Sequence, residues 1–192
     1  MKQIIEKRIQ ESITVKKSIF ANDNIKMQIE QLSLLVLEAI KNGKKVIFAG
    51  NGGSFSDSFH LAGEFVSRFL FDRPALPSIA LGGNNSIVTA IGNDYSYEDI
   101  FSRELFALGN VGDVFIPIST SGNSKNIINS INTAKEKGIV VFGLTGETGG
   151  KMQSVCDCIC VPSSDTARIQ EVHILIGHIL CELVEKTYFK KN

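Results

Sequence analysis

The chain has 192 residues, the size of a single domain at about 150 residues per domain. Lys plus Arg and Asp plus Glu are each 20, so the formal net charge is zero and only 21% of residues are charged, which argues against a nucleic-acid binder working through a broad basic surface. Apolar residues make up 43%, enough for a sizeable core and too many for disorder, yet no run approaches the roughly 18 to 20 uninterrupted apolar residues that a bilayer span needs.

The opening stretch, MKQIIEKRIQESITVKKSIF, threads charges among its apolar residues and has no central apolar block like that of a signal peptide, so a cytoplasmic protein is expected. Residues 1–43 predict N-terminal helices. Within them Ile25, Ile29, Leu32, Leu35, Val36 and Ala39 fall at amphipathic spacing. From Lys44 onward, five apolar runs alternate with helix-length segments: 45–50, 78–81, 113–118, 139–144 and 158–162. Runs that are apolar throughout suit strands covered on both faces. Residues 44–165 therefore predict an α/β core, a three-layer sandwich with a five-stranded parallel sheet and right-handed crossovers. Ser54 to Phe71 and Ser124 to Gly138 predict helices, the second with an N-capping residue type in front and a glycine behind. Residues 166–190 predict a long C-terminal helix, rich in Ile, Val and Leu on more than one side, and the terminal helices are expected to pack against other copies of the chain. Cys156, Cys158 and Cys160 alternate as on one face of a strand and, with Cys181, are expected to be reduced and buried.

In open parallel sheets, ligands bind beyond the carboxyl ends of the strands. Two loops lie there. Asn51, Gly52, Gly53 and Ser54 follow the first strand and open a helix, where glycines permit close backbone approach and the free N–H groups favour an anion. Ser119, Thr120, Ser121 and Ser124 surround Gly122 after the third strand and offer a ring of hydroxyls without a cationic side chain. The Asn51 loop lacks dinucleotide spacing and a Walker lysine, so a phosphorylated small molecule remains. Asn93 and Asp94 add polar groups that would equally suit a turn. His60 and Glu64, four apart on one helical face, suit a divalent metal, shared acid and base duties, or a surface ion pair. On the C-terminal helix, Gln170 and His178 are eight residues apart, about 12 Å along the axis, so meeting at one ion from a single helix would stretch both side chains. His173 points away from His178 and reads as structural.

Taken together, GNGGS (50–54), His60 with Glu64, GND (92–94), STSGNS (119–124) and TARIQEVHILIGH (166–178) resemble the sugar isomerase (SIS) fold. More narrowly they resemble the bacterial sedoheptulose 7-phosphate isomerases, also called phosphoheptose isomerases. The resemblance implies a flavodoxin-like doubly wound domain spanning 1–192, with extra terminal helices used in oligomerisation. It implies conversion of sedoheptulose 7-phosphate to D-glycero-D-manno-heptose 7-phosphate, the first step toward the heptose of lipopolysaccharide core or capsule, by a homotetramer that binds no nucleic acid or membrane. It places substrate on Asn51, Gly52, Gly53, Ser54, Glu64, Asn93, Asp94, Ser119, Thr120, Ser121, Ser124 and Gln170. It implies one Zn²⁺ per subunit on His60, Glu64, Gln170 and His178, with Glu64 and His178 as the acid–base pair. Phe55 departs from the small residue expected after the first loop and would narrow the entrance without removing a named group. Two other readings of the fold are a non-catalytic tetrameric adaptor for the replication initiator protein and a phosphosugar-sensing regulatory domain. The intact acid–base set weighs against the first and the short, evenly charged residues 1–43 against the second.

Overall fold

The computed structural model describes residues 1–190. Two helices of similar length, α1 (Lys2–Ala21) and α2 (Asp23–Lys41), come first and are separated at Asn22, whose side chain accepts from Ile25 N and caps α2. Strand β1 (Val46–Gly50) is followed by α3 (Gly53–Val66) and the short edge strand β2 (Ser78–Ala80). Then come α4 (Asn85–Asp94), a 3₁₀ turn (Tyr97–Asp99), α5 (Ile100–Leu108) and β3 (Val114–Ser119). The chain continues through α6 (Lys125–Glu136), β4 (Val140–Gly146), β5 (Asp157–Val161) and α7 (Thr166–Tyr188).

All five predicted strands form, every pair is parallel, and the order is β2-β1-β3-β4-β5. The strands β1 and β3 are buried along their whole length, as their unbroken apolar runs require. Two apolar layers result. One side of the sheet meets α2, α3 and α7 through residues such as Phe48, Ile116, Leu61 and Val172, and the other meets α5 and α6 through Ile47, Phe115, Leu105 and Ile131. Cys156, Cys158 and Cys160 pack on the second side, and all four cysteines are free, with Cys158 and Cys181 buried.

The strand order reverses between β1 and β3, which pair through Gly50 and Ile118 at their carboxyl ends. That reversal opens the crevice where doubly wound sheets bind ligands, so the loops 51–52 and 120–124 start side by side there. Sequence reading left 82–112 without helices, because α4 buries only Ile91 and so carries no apolar stripe. The long helix α7 occupies the residues expected for it, and its apolar sides are met within the chain by α1, α2 and α3. Helix α1 differs: only Ile19 is buried, and Ile4, Ile5, Ile9, Ile13 and Phe20 stand exposed. No described helix is long and apolar enough to cross a membrane.

On α7, His173 is fully buried and its Nε2 donates to the Thr145 carbonyl oxygen at 3.1 Å. Burial pushes the imidazole pKa down to about 4, opposed by that hydrogen bond. The folded chain thus keeps His173 neutral where the unfolded chain, near its ordinary value of 6.5, takes up a proton. This component of stability is present above pH 6.5 and is lost as the pH falls toward 4, amounting to about 3 kcal/mol. Urea unfolding of His173→Leu at pH 7 and pH 4 is expected to show a pH dependence smaller by about that amount; an unchanged difference would contradict the assignment.

Candidate active site

The hydroxyl loop is built by the end of β3 and the start of α6. Ser119, the buried last residue of β3, shares a hydrogen bond with Ser124 Oγ at 3.1 Å. Ser121 Oγ accepts from Asn123 N, and Asn123 Oδ1 accepts from Lys151 N, tying the loop to the segment after β4. Gly122 makes the turn with φ +65°, a left-handed conformation that other residues rarely adopt. Ser124 stands at the N-cap of α6 but makes no side-chain cap, leaving the first amides of this 12-residue helix turned toward the loop. Helix α7, by contrast, has its first amides taken by Asp165.

Thr120, Ser121 and Asn123 form one wall of a cavity of about 270 Å³ that is completed by Glu147, Thr148, Ser163, Ser164, Thr166 and Ile169. The hydroxyls of Ser163, Ser164 and Thr166 were missed by sequence reading. The signal was present, since Ser-Ser-Asp-Thr directly follows the fifth apolar run at the carboxyl end of the sheet.

The glycine loop is held from both sides. Asn51 exchanges amide hydrogen bonds with Asn126 of α6 at 2.9 and 3.0 Å, and Asn51 Oδ1 also accepts from the Tyr97 hydroxyl. Ser54 is buried in the first turn of α3. Gly53 is the point where α7 comes closest, because a Cβ there would lie 2.5 Å from the Gln170 amide nitrogen. Phe55 turns its ring onto Phe59, with centroids 4.5 Å apart, and onto Gly82 beyond β2. Asn93 and Asp94 are exposed at the end of α4, where Asn93 Nδ2 donates to Asp94 Oδ1.

Helices α3 and α7 lie parallel. Gly53 meets Gln170 near their starts, and further along the neighbours His60 and Leu61 meet the neighbours His178 and Gly177, so the two helices run in the same direction. His60 Nε2 lies 3.0 Å from Glu64 Oε1 and 3.2 Å from His178 Nε2, and the ligand atoms of the three residues fall within 4.8 Å of one another. Two imidazoles and a carboxylate aimed at one point are a zinc donor set, and a tetrahedral ion with bonds of about 2.0–2.1 Å would hold such donors about 3.3 Å apart. The His60–Glu64 ion pair thus has a third donor, His178, beside it. Gln170 does not join them within one protomer: its amide lies on Gly53, about two helical turns away. Phe69 stacks over the His178 ring at 5.5 Å, a contact no local spacing could announce. One turn before His60, Asp57 has a buried carboxylate oxygen without a hydrogen bond, and burial raises its pKa against the opposing charge of His60.

The chain that carries this arrangement, a hydroxyl loop at the carboxyl end of a doubly wound sheet and an acid–imidazole cluster about two helical turns further along α3 and α7, has close relatives. The SIS-domain profile matches residues 11–146. A phosphoheptose isomerase of Aneurinibacillus thermoaerophilus is 58% identical over 193 residues, covering 100% of this chain and 98% of the relative. The chain belongs to the phosphoheptose isomerases of the SIS-domain family. Phosphoheptose isomerase 2 of Campylobacter jejuni is 56% identical over 95% of this chain and 91% of its own length. The solved structure of a phosphoheptose isomerase from Francisella tularensis superposes with a TM-score of 0.91 at 35% identity, covering 96% of this chain and 97% of the other.

The Gly122 turn supplies a direct test of the loop. In Gly122→Ala the left-handed backbone and the nearby Gly149 carbonyl both oppose the new methyl, and strained positions of this kind cost about 1–3 kcal/mol. Calorimetry is expected to show a lower Tm together with loss of phosphate-ester affinity. Retained affinity in the folded variant would remove the loop from ligand binding.

Proposed function

We propose that the chain converts sedoheptulose 7-phosphate to D-glycero-D-manno-heptose 7-phosphate, an intramolecular aldose–ketose isomerisation that supplies heptose for lipopolysaccharide core or capsule. The observation that carries this reading is Glu64 set beside His60 and His178.

The reaction moves two hydrogens and needs no outside oxidant. Glu64 takes the proton from C1 of the ketose and returns it to C2, passing through the enediol. His178 delivers a proton to O2 as the carbonyl becomes a hydroxyl and takes the O1 proton as the aldehyde forms. Such positioned proton transfer accelerates reactions by about 10²–10⁴-fold. His60, Glu64 and His178 are the residues of this protomer that would hold Zn²⁺, one per subunit, and when bound the ion supplies Lewis-acid polarisation of the sugar oxygens.

The 7-phosphate is read as held by Ser119, Thr120, Ser121 and Ser124 and by the open end of α6, with Ser54 and the Gly52–Gly53 amides nearby. Binding energy from this distant group can orient the reacting carbons. Gln170, on Gly53, is read as a substrate contact of its own protomer and as a zinc ligand only across subunits. Asn93 and Asp94 would likewise complete the substrate site on assembly. The exposed apolar stripe of α1 supports a homotetramer. The adaptor reading is not favoured, because the acid–base set is intact and full-length relatives carry the isomerase name.

Incubation with sedoheptulose 7-phosphate, followed by NMR, is expected to yield the aldose, with less formed after chelation. Glu64→Gln should lower kcat at least about a hundredfold while leaving phosphosugar binding intact. Near-normal turnover in that variant would take Glu64 out of the mechanism, and no conversion by the wild type under any metal condition would revive the adaptor reading.

A further inference from the structure

Glu64 occupies the last turn of α3, where helix carbonyls lack intrahelical partners and ends fray. Here those carbonyls are held by a side chain from outside the helix. The Arg73 guanidinium donates through one nitrogen to Glu64 O at 2.8 Å and through the other to Phe65 O at 2.7 Å. Further bonds reach Ser67 O and Pro74 O, so the turn leaving α3 is gathered around one planar cation. Arg73 Nε in turn donates to Glu185 Oε1 at 2.8 Å, and this ion pair is almost wholly out of solvent, at 2% and 1% side-chain exposure.

Glu185 lies seven residues beyond His178 on α7, two turns along nearly the same face. Its carboxylate also accepts from Phe69 N at 2.9 Å and Leu70 N at 2.8 Å. Phe69 is the residue stacked on His178. One buried pair thus touches the main chain of Glu64, the helix that bears His178, and the ring that packs on His178.

We infer that Arg73 and Glu185 are positioning residues for the isomerase site, a clamp that sets the spacing of Glu64 and His60 against His178. Neither touches the reacting atoms. The inference rests on the proposed isomerase reading for its kinetic consequence, though the clamp itself does not. A surface ion pair could not do this, since exposed pairs are weakly held. Burial removes water as a competing partner, and the fork of Arg73 fits two carbonyls and a carboxylate at once, which a lysine cannot.

The test uses full-length Glu185→Gln and the milder Arg73→Lys. The chain has three histidines, so their ring signals can be assigned by NMR. In both variants the His178 signal is expected to lose the ring-current shift imposed by Phe69, while the His173 signal stays in place. The kcat should fall by about 10–100-fold, the range seen when supporting partners of metal or catalytic groups are removed, with KM changed much less. Lys45→Met, which breaks the ion pair of Lys45 with buried Asp113 at the amino ends of β1 and β3, controls for mere destabilisation: it should lower Tm and leave kcat and the His178 signal alone. Folded Arg73→Lys and Glu185→Gln proteins with lowered Tm but unchanged His178 signal and kcat would overturn the clamp. If the wild type does not turn over the heptulose, the isomerase reading fails while the His178 signal still decides the clamp.

Discussion

The site depends on α3 and α7 lying parallel in one register. Close approach is possible at Gly53, where the Gln170 amide leaves no space for a Cβ, and at Gly177, where Leu61 fills the gap a side chain would take. With those contacts set, His60 and His178 meet at 3.2 Å although 118 residues separate them. A one-residue slip would rotate either helix by about 100° and turn one imidazole away from the other. The buried pair of Arg73 and Glu185 closes the far end of the same contact.

The sheet supplies the other half of the geometry. Its order reverses between β1 and β3, so two loops of different character open at one place. One brings glycines and Asn51; the other brings hydroxyls and an uncapped helix end. The Asn51–Asn126 amide pair ties the first loop to the helix that follows the second. From Gly53 and Gln170 to His60 and His178 is about two helical turns, or about 11 Å.

Much of this was legible in the chain. Five unbroken apolar runs announced five strands, because only strands covered on both faces can be apolar on both. The loop hydroxyls announced themselves by density, and His60 with Glu64 by helical spacing. Helices α4 and α5 left little trace, α4 because it buries only Ile91 and α5 because nine residues are too few to show a helical period. The separation of Gln170 from His178 was foreseeable from helix rise, but the place of Gln170 on Gly53 required the packing of α7. Arg73 and Glu185, 112 residues apart, carried no local signal, because their meaning lies wholly in a contact between distant segments.

The most direct measurement is a crystal structure of the protein with sedoheptulose 7-phosphate bound. The account predicts the phosphate among Ser119, Thr120, Ser121 and Ser124, with C1 and C2 within about 3–3.5 Å of Glu64 and His178. A sugar whose reacting carbons lie away from every Glu64 and His178 in the assembly would contradict it.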